Sequence, residues 1–376
     1  MKGKKGFVMV LALLLMLAVT LLALAAMSAS TMSITIERNR LSGAKAFWNA
    51  ESGISFTIRA MNQKLIEDTK LDDITWNAYL SHGPRPTSIG CGENDNFVSC
   101  NTPDEFAAKI CHLSSGGKVV ERYKKPMYVV DGHGYDMDSH RNVTVYLVTN
   151  PVRDVKVKAA LSTNGDVEVD AASTVVNGID LCGGKAVAGI EYADAISGNP
   201  NIDKASTVRG DPKTEKNSAM ERNLDLIEEY VKDFAGPDRT YTFNTGKTVL
   251  TNMDMDQNQW GTFPSDPGTP PEEPALVYIN AGQNEVTIDS TEGAGILFVR
   301  GNLKVGGGFH WYGLVVVTGD FTYIGGGEQM IMGAVMTGTS HDNAVVSGNA
   351  FIQYCSKAIN FLKRPEYRRF AWKEGI

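Results

Sequence analysis

The chain is poor in the features that most often reveal a protein's chemistry. It has no basic excess: 36 Lys and Arg against 43 Asp and Glu leave a formal charge of -7, which argues against nucleic acid as a partner. Its five cysteines, Cys91, Cys100, Cys111, Cys182 and Cys355, form no C-x-x-C pair, and His112 merely follows Cys111, so zinc is not expected. No G-x-S-x-G or H-E-x-x-H occurs, and the triple glycines lack the Lys-Ser/Thr of a phosphate loop. Asp320, Glu328, His310 and His341 are the residues a polysaccharide-active coil face could offer. None of them stands at a recognisable catalytic spacing, and an enzyme is not expected. Also missing is any cysteine close behind the N-terminal apolar run, which excludes a lipoprotein signal.

What the N-terminus does have is FVMVLALLLMLAVTLLALAAM, Phe7 to Met27, with Thr20 as its one polar side chain. At ~1.5 Å per residue this run spans ~30 Å, the thickness of a bilayer core. Lys2, Lys4 and Lys5 precede it, and the positive-inside rule keeps that end in the cytoplasm and exports the rest. A conventional secretory signal could be cut near Ala23-Leu24-Ala25, but its apolar region should be only ~7–15 residues long. A simple membrane anchor and a signal cut ahead of the apolar helix are the other two readings.

The junction Lys4-Lys5-Gly6-Phe7 looks like a prepilin peptidase site. The run from Gly6 to Met27, and the stretch from Ala44 to Ile54 with its Phe47-Trp48-Asn49-Ala50-Glu51-Ser52-Gly53, resemble PilX-like minor pilins over roughly residues 1–60. The resemblance implies cleavage after Gly6 and an N-methylated Phe7. It implies prepilin peptidase, other pilins and the assembly machinery as partners, and the inner membrane and then the pilus as the location. Major pilins carry a glutamate at the fifth mature position, where this chain has Leu11. Such a glutamate neutralises a neighbour's buried α-amino group, because an unpaired buried charge is very costly. Its lack implies a tip or initiating position.

Met32, Ile36, Ala44, Phe47, Ala50, Ile54, Ile58 and Met61 recur at threes and fours, which predicts that the helix continues to about residue 68. Gly43 and Gly53 argue against one unbroken rod. Further on, Asp104–Ile110 reads as a helix, Pro126–Val130 and Asn142–Thr149 as antiparallel strands, and Asp131–Asp138 between them as a carboxylate-rich turn. Cys91 and Cys100 bracket a short polar loop and are the expected disulfide, with Cys100–Cys111 as its rival. Met220, Leu224, Ile227, Val231 and Phe234 predict a helix over about 216–234, stopped by Gly236-Pro237. Asn252, Asp254, Asp256 and Asn258 place oxygens at alternate positions, a candidate Ca²⁺ site that lacks the Gly and closing Glu of an EF-hand.

The last third repeats itself. Gly295, Gly313 and Gly333 each open a strand, a Gly-Asn or Gly-Asp corner and a second strand, with Val345–Ile352 closing the third copy. Stacked β-solenoid coils and nested hairpins both use this grammar; the solenoid is preferred, and the strands of 156–190 have the same character. The tail 363–374 is basic and aromatic, and is expected to fold back with Phe370 and Trp372 as anchors.

The sequence therefore predicts an α+β protein: a long N-terminal helix, membrane-spanning in its first half, then a mainly β domain that is solenoid-like at its C-terminal end. The expected segments are leader 1–6, membrane helix 7–27, stalk 28–68, mixed region 69–155, strands 156–210, helix and Pro-rich loop 211–274, glycine-punctuated repeats 275–358 and tail 359–376. The expected function is that of a minor pilin-like subunit whose exported domain caps the fibre or binds a surface or glycan. A non-polymerising surface binding protein is the alternative, and a β-helix enzyme a lesser one.

Overall fold

A computed structural model describes residues 4–67, 81–82, 96–99, 106–115, 118–136, 139–193, 201–202, 207–217, 223–243, 248–251, 260–326, 329–338, 343–364 and 366–375. The chain forms two compact units. The first comprises 1–122, 126–148 and 367–376; the second comprises 123–125 and 149–366.

In the first unit, α1 (Lys4–Glu67) is one continuous helix that runs through both Gly43 and Gly53. Its C-terminal third lies on a six-stranded sheet in the order 81–82, 96–99, 106–112, 128–136, 139–149 and 367–375. Ala50, Ile54 and Met61 of the helix meet Ile110, Val130, Val143, Val145 and Leu147 of the sheet in a dry core. Two expectations fail here. Phe106–His112 is a strand and not a helix, because Phe106, Ala108 and Ile110 are buried at period two. Asp131–Asp136 likewise continues the strand Tyr128–Asp136 and is not a turn. Its glycines explain why: a Cβ on Gly134 would land on Ala46 O and Ala50 N, and one on Gly132 would lie 2.6 Å from Ile54 Cγ1. The Gly-His-Gly sequence is thus a seat that lets the helix backbone press against the strand.

The second unit is built on a 16-stranded, curled parallel sheet with mainly β character. Its described pairings are all parallel, so the Gly-Asn and Gly-Asp corners are not hairpin turns. The long strands Ala275–Asp289 and Glu292–Gly306 pair side by side, then His310–Val317 and Met330–Thr337 follow in register. Gly295, Gly313 and Gly333 stand opposite one another at φ values of +143°, +133° and +142°. A Cβ on Gly313 would strike Gly295 O, and one on Gly333 would strike Gly313 O, so this column of bends requires glycine. A second column runs Leu303–Val305, Phe321–Tyr323, Ala344–Val346.

The order of stacking departs from the order of the chain. Beyond Met330–Thr337 the next strand is Ala159–Thr163, beyond Ala344–Ser347 it is Val167–Val169, and beside Phe351–Tyr354 lies Val175–Asn177. The N-terminal strands of the unit therefore continue the stack where its C-terminal strands stop, and one turn of the sheet is shared between them. The cysteine pair Cys182–Cys355 joins the two segments just past this seam.

Helices cover the outside. The helix α2 (Leu224–Phe234) begins later than predicted, since Thr214–Lys216 is a strand, and Met220 lies outside the described residues. Its buried stripe is Leu224, Ile227, Tyr230 and Val231, and Gly236 at φ +75° followed by Pro237 ends it as expected. Together with α3 (Ser356–Leu362) it packs on the strands 275–289, 292–306, 310–317 and 330–337, and His310–Val317 and Met330–Thr337 bury both of their faces. Uncovered Phe321–Ile324 alternates instead.

Candidate assembly interface

Two opposite faces of α1 divide its work. One is fastened to its own sheet: Ser42 Oγ donates to Asp136 O at 2.6 Å, and Asn49 Nδ2 to Tyr135 O at 2.7 Å. Arg369 donates to Glu51 at 2.8 Å and to Ser55 at 2.9 Å, and Tyr367 N to Asn62 Oδ1 at 2.6 Å. The buried positions are Ser42, Gly43, Ala46, Ala50, Gly53, Ile54, Thr57 and Met61. The expected stripe was right from Phe47 onward, but Met32, Ile36 and Ala44 are exposed.

The other face is exposed and carries an apolar row among the charged side chains Glu37, Arg38, Arg40 and Lys45. Ile34, Leu41 and Trp48 follow one another at intervals of seven and are 66%, 58% and 67% exposed. Seven residues is close to two helical turns, so these side chains form a single seam of the kind that packs against another helix. N-terminal to it, the segment from Leu11 onward is long and apolar enough to cross a membrane, by length and composition. Leu11 itself is 55% exposed within that surface. Gly6 and Phe7 lie in the helical backbone of α1.

The remaining predicted site residues do not converge. Cys91, Cys100, Asn252, Asp254, Asp256, Asn258, Glu328 and His341 lie outside the described residues. Asp320 serves as a corner: its N–H donates to Asn302 Oδ1 at 2.9 Å, and its Oδ1 accepts from Asn343 N at 2.8 Å. His310 opens a strand, with Nδ1 3.1 Å from Gly308 O. Phe370 and Trp372 belong to an edge strand of the sheet, where Arg122 lies over the Phe370 ring; Trp372 is exposed and anchors nothing.

Among the described residues, Asp180, Cys182 and Cys355 are the one group with metal-ligand spacing, but the two sulfurs are bonded to each other. Asp180 is occupied as well. Its Oδ1 accepts from Cys182 N and Ser356 N at 2.8 and 3.0 Å, and its Oδ2 from Gly184 N at 2.7 Å. Burial alone would raise its pKa, but hydrogen bonds from Ser356, Cys182 and Gly184 outweigh it and hold the carboxyl below the usual range. No local pattern marks this cysteine pair, because 173 residues separate its members.

No family model matches the chain, and no curated relative matches it. Among solved structures it is similar to the competence-associated pilin ComZ from Thermus thermophilus. The sequence identity is 9% and the TM-score 0.23, with 89% of this chain and 97% of that chain covered.

Proposed function

We propose that this chain is a minor pilin-like subunit, cut after Gly6, held in the inner membrane by α1 and then incorporated at or near the tip of a type IV pilus. The observation that carries the reading is the two-faced helix: exposed apolar surface from Leu11 through Trp48, and a buried face from Ser42 to Met61. A helix fastened to its own sheet needs no second apolar face unless another helix covers it. Leu11 supplies no acid for a neighbour's α-amino group, which suits an end position and not the shaft. We read the curled parallel sheet of the second unit as a β-solenoid, with its in-register glycine column as support, serving as cap or adhesive surface.

The test is the mass of the mature N-terminus in cells with and without prepilin peptidase. The expected species starts at methylated Phe7 and depends on the peptidase. A start after Ala25, or an uncut chain in both strains, overturns the reading. Labelling evenly along isolated fibres would overturn the tip position alone.

A further inference from the structure

The second unit is assembled from two chain segments that meet in one shared turn. Residues 159–216 contribute little more than two turns of the sheet. A stack that short cannot bury its apolar faces alone; about three repeats are the usual minimum. These strands depend on Leu161↔Val335, Val167↔Ala344, Val176↔Ile352 and their neighbours, pairings that bridge nearly the whole unit in sequence. Asn177 Nδ2 donates to Gln353 Oε1 at 2.9 Å, and Gln353 Nε2 to Ile179 O at 2.6 Å. Cys182 and Cys355 lie immediately beyond those contacts, one on each segment.

The ends of the unit also meet. Asn150 N donates to Glu366 O at 3.2 Å, and its buried Nδ2 to Leu362 O at 2.9 Å. The chain therefore enters and leaves at one place, and any pull on the unit through its chain connections arrives at its two ends together. Such a pull peels residues from 150 forward and from 366 backward. The front from 150 strips the strands 159–163, 167–169 and 175–177 and then meets Cys182, the front from 366 meets Cys355, and neither passes the cysteine pair into 183–354.

We propose that Cys182–Cys355 is a mechanical stop: it closes residues 183–354 into a loop that tension at the ends cannot unravel. A load of this kind follows from membership of a fibre, so the biological use rests on the function proposed above, whereas the mechanical property does not.

The test pulls single molecules of the detergent-held full chain in optical tweezers. Azide-bearing residues at the positions of Lys156 and Arg364 take the handles, which leaves every cysteine untouched. With the bond intact only about 35 residues lie between the handles and the cysteines, so at ~3.5 Å per residue release stops near ~12 nm. A phosphine reductant splits the bond to two thiols, taking up the oxygen of a water itself, and release should then reach ~73 nm for about 208 residues. This is a roughly six-fold change in length. The variant Cys355→Ser should match the reduced chain; if it does not fold, reductant added after the native molecule is trapped gives the same comparison. Equal lengths before and after reduction, or ~73 nm from the untreated chain, overturn the proposal. Neither result bears on cleavage after Gly6, so the two readings fail separately.

Discussion

Replacing Gly134 by alanine should loosen α1 from its sheet, and the structure sets the scale. The new Cβ would clash with Ala46 O and Ala50 N, both helix backbone, which cannot rotate away as a side chain could. Relief requires the helix to move outward by about an ångström, opening a gap under Ala46, Ala50 and Ile54, all fully buried. A gap of ~0.5–1 Å forfeits a quarter to a half of each contact it touches. Overpacking of this kind costs about 1–3 kcal/mol, and the upper end is expected because the obstruction is backbone. Two units need not unfold together, so the readout should be local: hydrogen exchange in Tyr128–Asp136. Exchange faster by about 30- to 150-fold corresponds to ~2–3 kcal/mol. Gly308→Ala is the control, since a Cβ there meets nothing within 4 Å, and it should change little. Gly134→Ala behaving like Gly308→Ala would refute the seat.

Asp180→Asn should weaken the second unit by about 1–2 kcal/mol at pH 7, since the carboxylate accepts three backbone N–H groups. The folded pKa is below the unfolded one, so this stability is present above the unfolded pKa and disappears as pH falls through the folded value. Unfolding midpoints of native and variant chains should therefore converge in acid, and a constant difference down to pH 2 would be evidence against the assignment. Tyr278→Phe removes the 2.8 Å bond to Glu228 that docks α2 on the sheet. It should cost about 1 kcal/mol in a denaturant titration. The same bond and burial, burial first, push the Tyr278 pKa to about 12, so its phenolate should be missing from an ultraviolet titration at pH 11. Trp48→Asp should leave the stability of the isolated chain within ~0.5 kcal/mol, as for other exposed sites. It should nevertheless abolish recovery of the chain in sheared pilus fractions; retention would exclude this seam from assembly.

The sequence made the helix and the glycine repeat legible because both are periodic. Twenty-one nearly uniform apolar residues, long enough to cross a bilayer, and glycines at Gly295, Gly313 and Gly333, each at a bend, repeat a local signal. Asp104–Ile110 misled because so short a segment fits a helix as well as a strand; only the helix above it, burying Phe106, Ala108 and Ile110, decides. Asp131-Gly-His-Gly misled for a related reason. Glycine beside aspartate ordinarily marks a turn, and here it marks the close approach of a helix some 80 residues earlier in the chain. The Cys182–Cys355 pairing was out of reach because 173 residues separate its members, while the expected pair Cys91 and Cys100 lies outside the described residues. Stacking order, and not sequence distance, brings Cys182 to Cys355.

That stacking order also accounts for how the chain carries so large a second unit. The first unit's strands 139–149 and 367–375 are neighbours in one sheet, although more than half the chain intervenes. An insertion there is compatible with the sheet only if its two ends lie as close together as the strands they continue. A solenoid built in chain order would put its first and last turns at opposite ends of the stack. By letting strands 159–169 complete the turn begun at 351–354, with 175–177 opening the next turn beside it, the chain brings its entry and exit back to the same region, where Asn150 ties them. The permuted stack, the asparagine tie and the cysteine pair thus answer one requirement: closing an inserted domain onto itself.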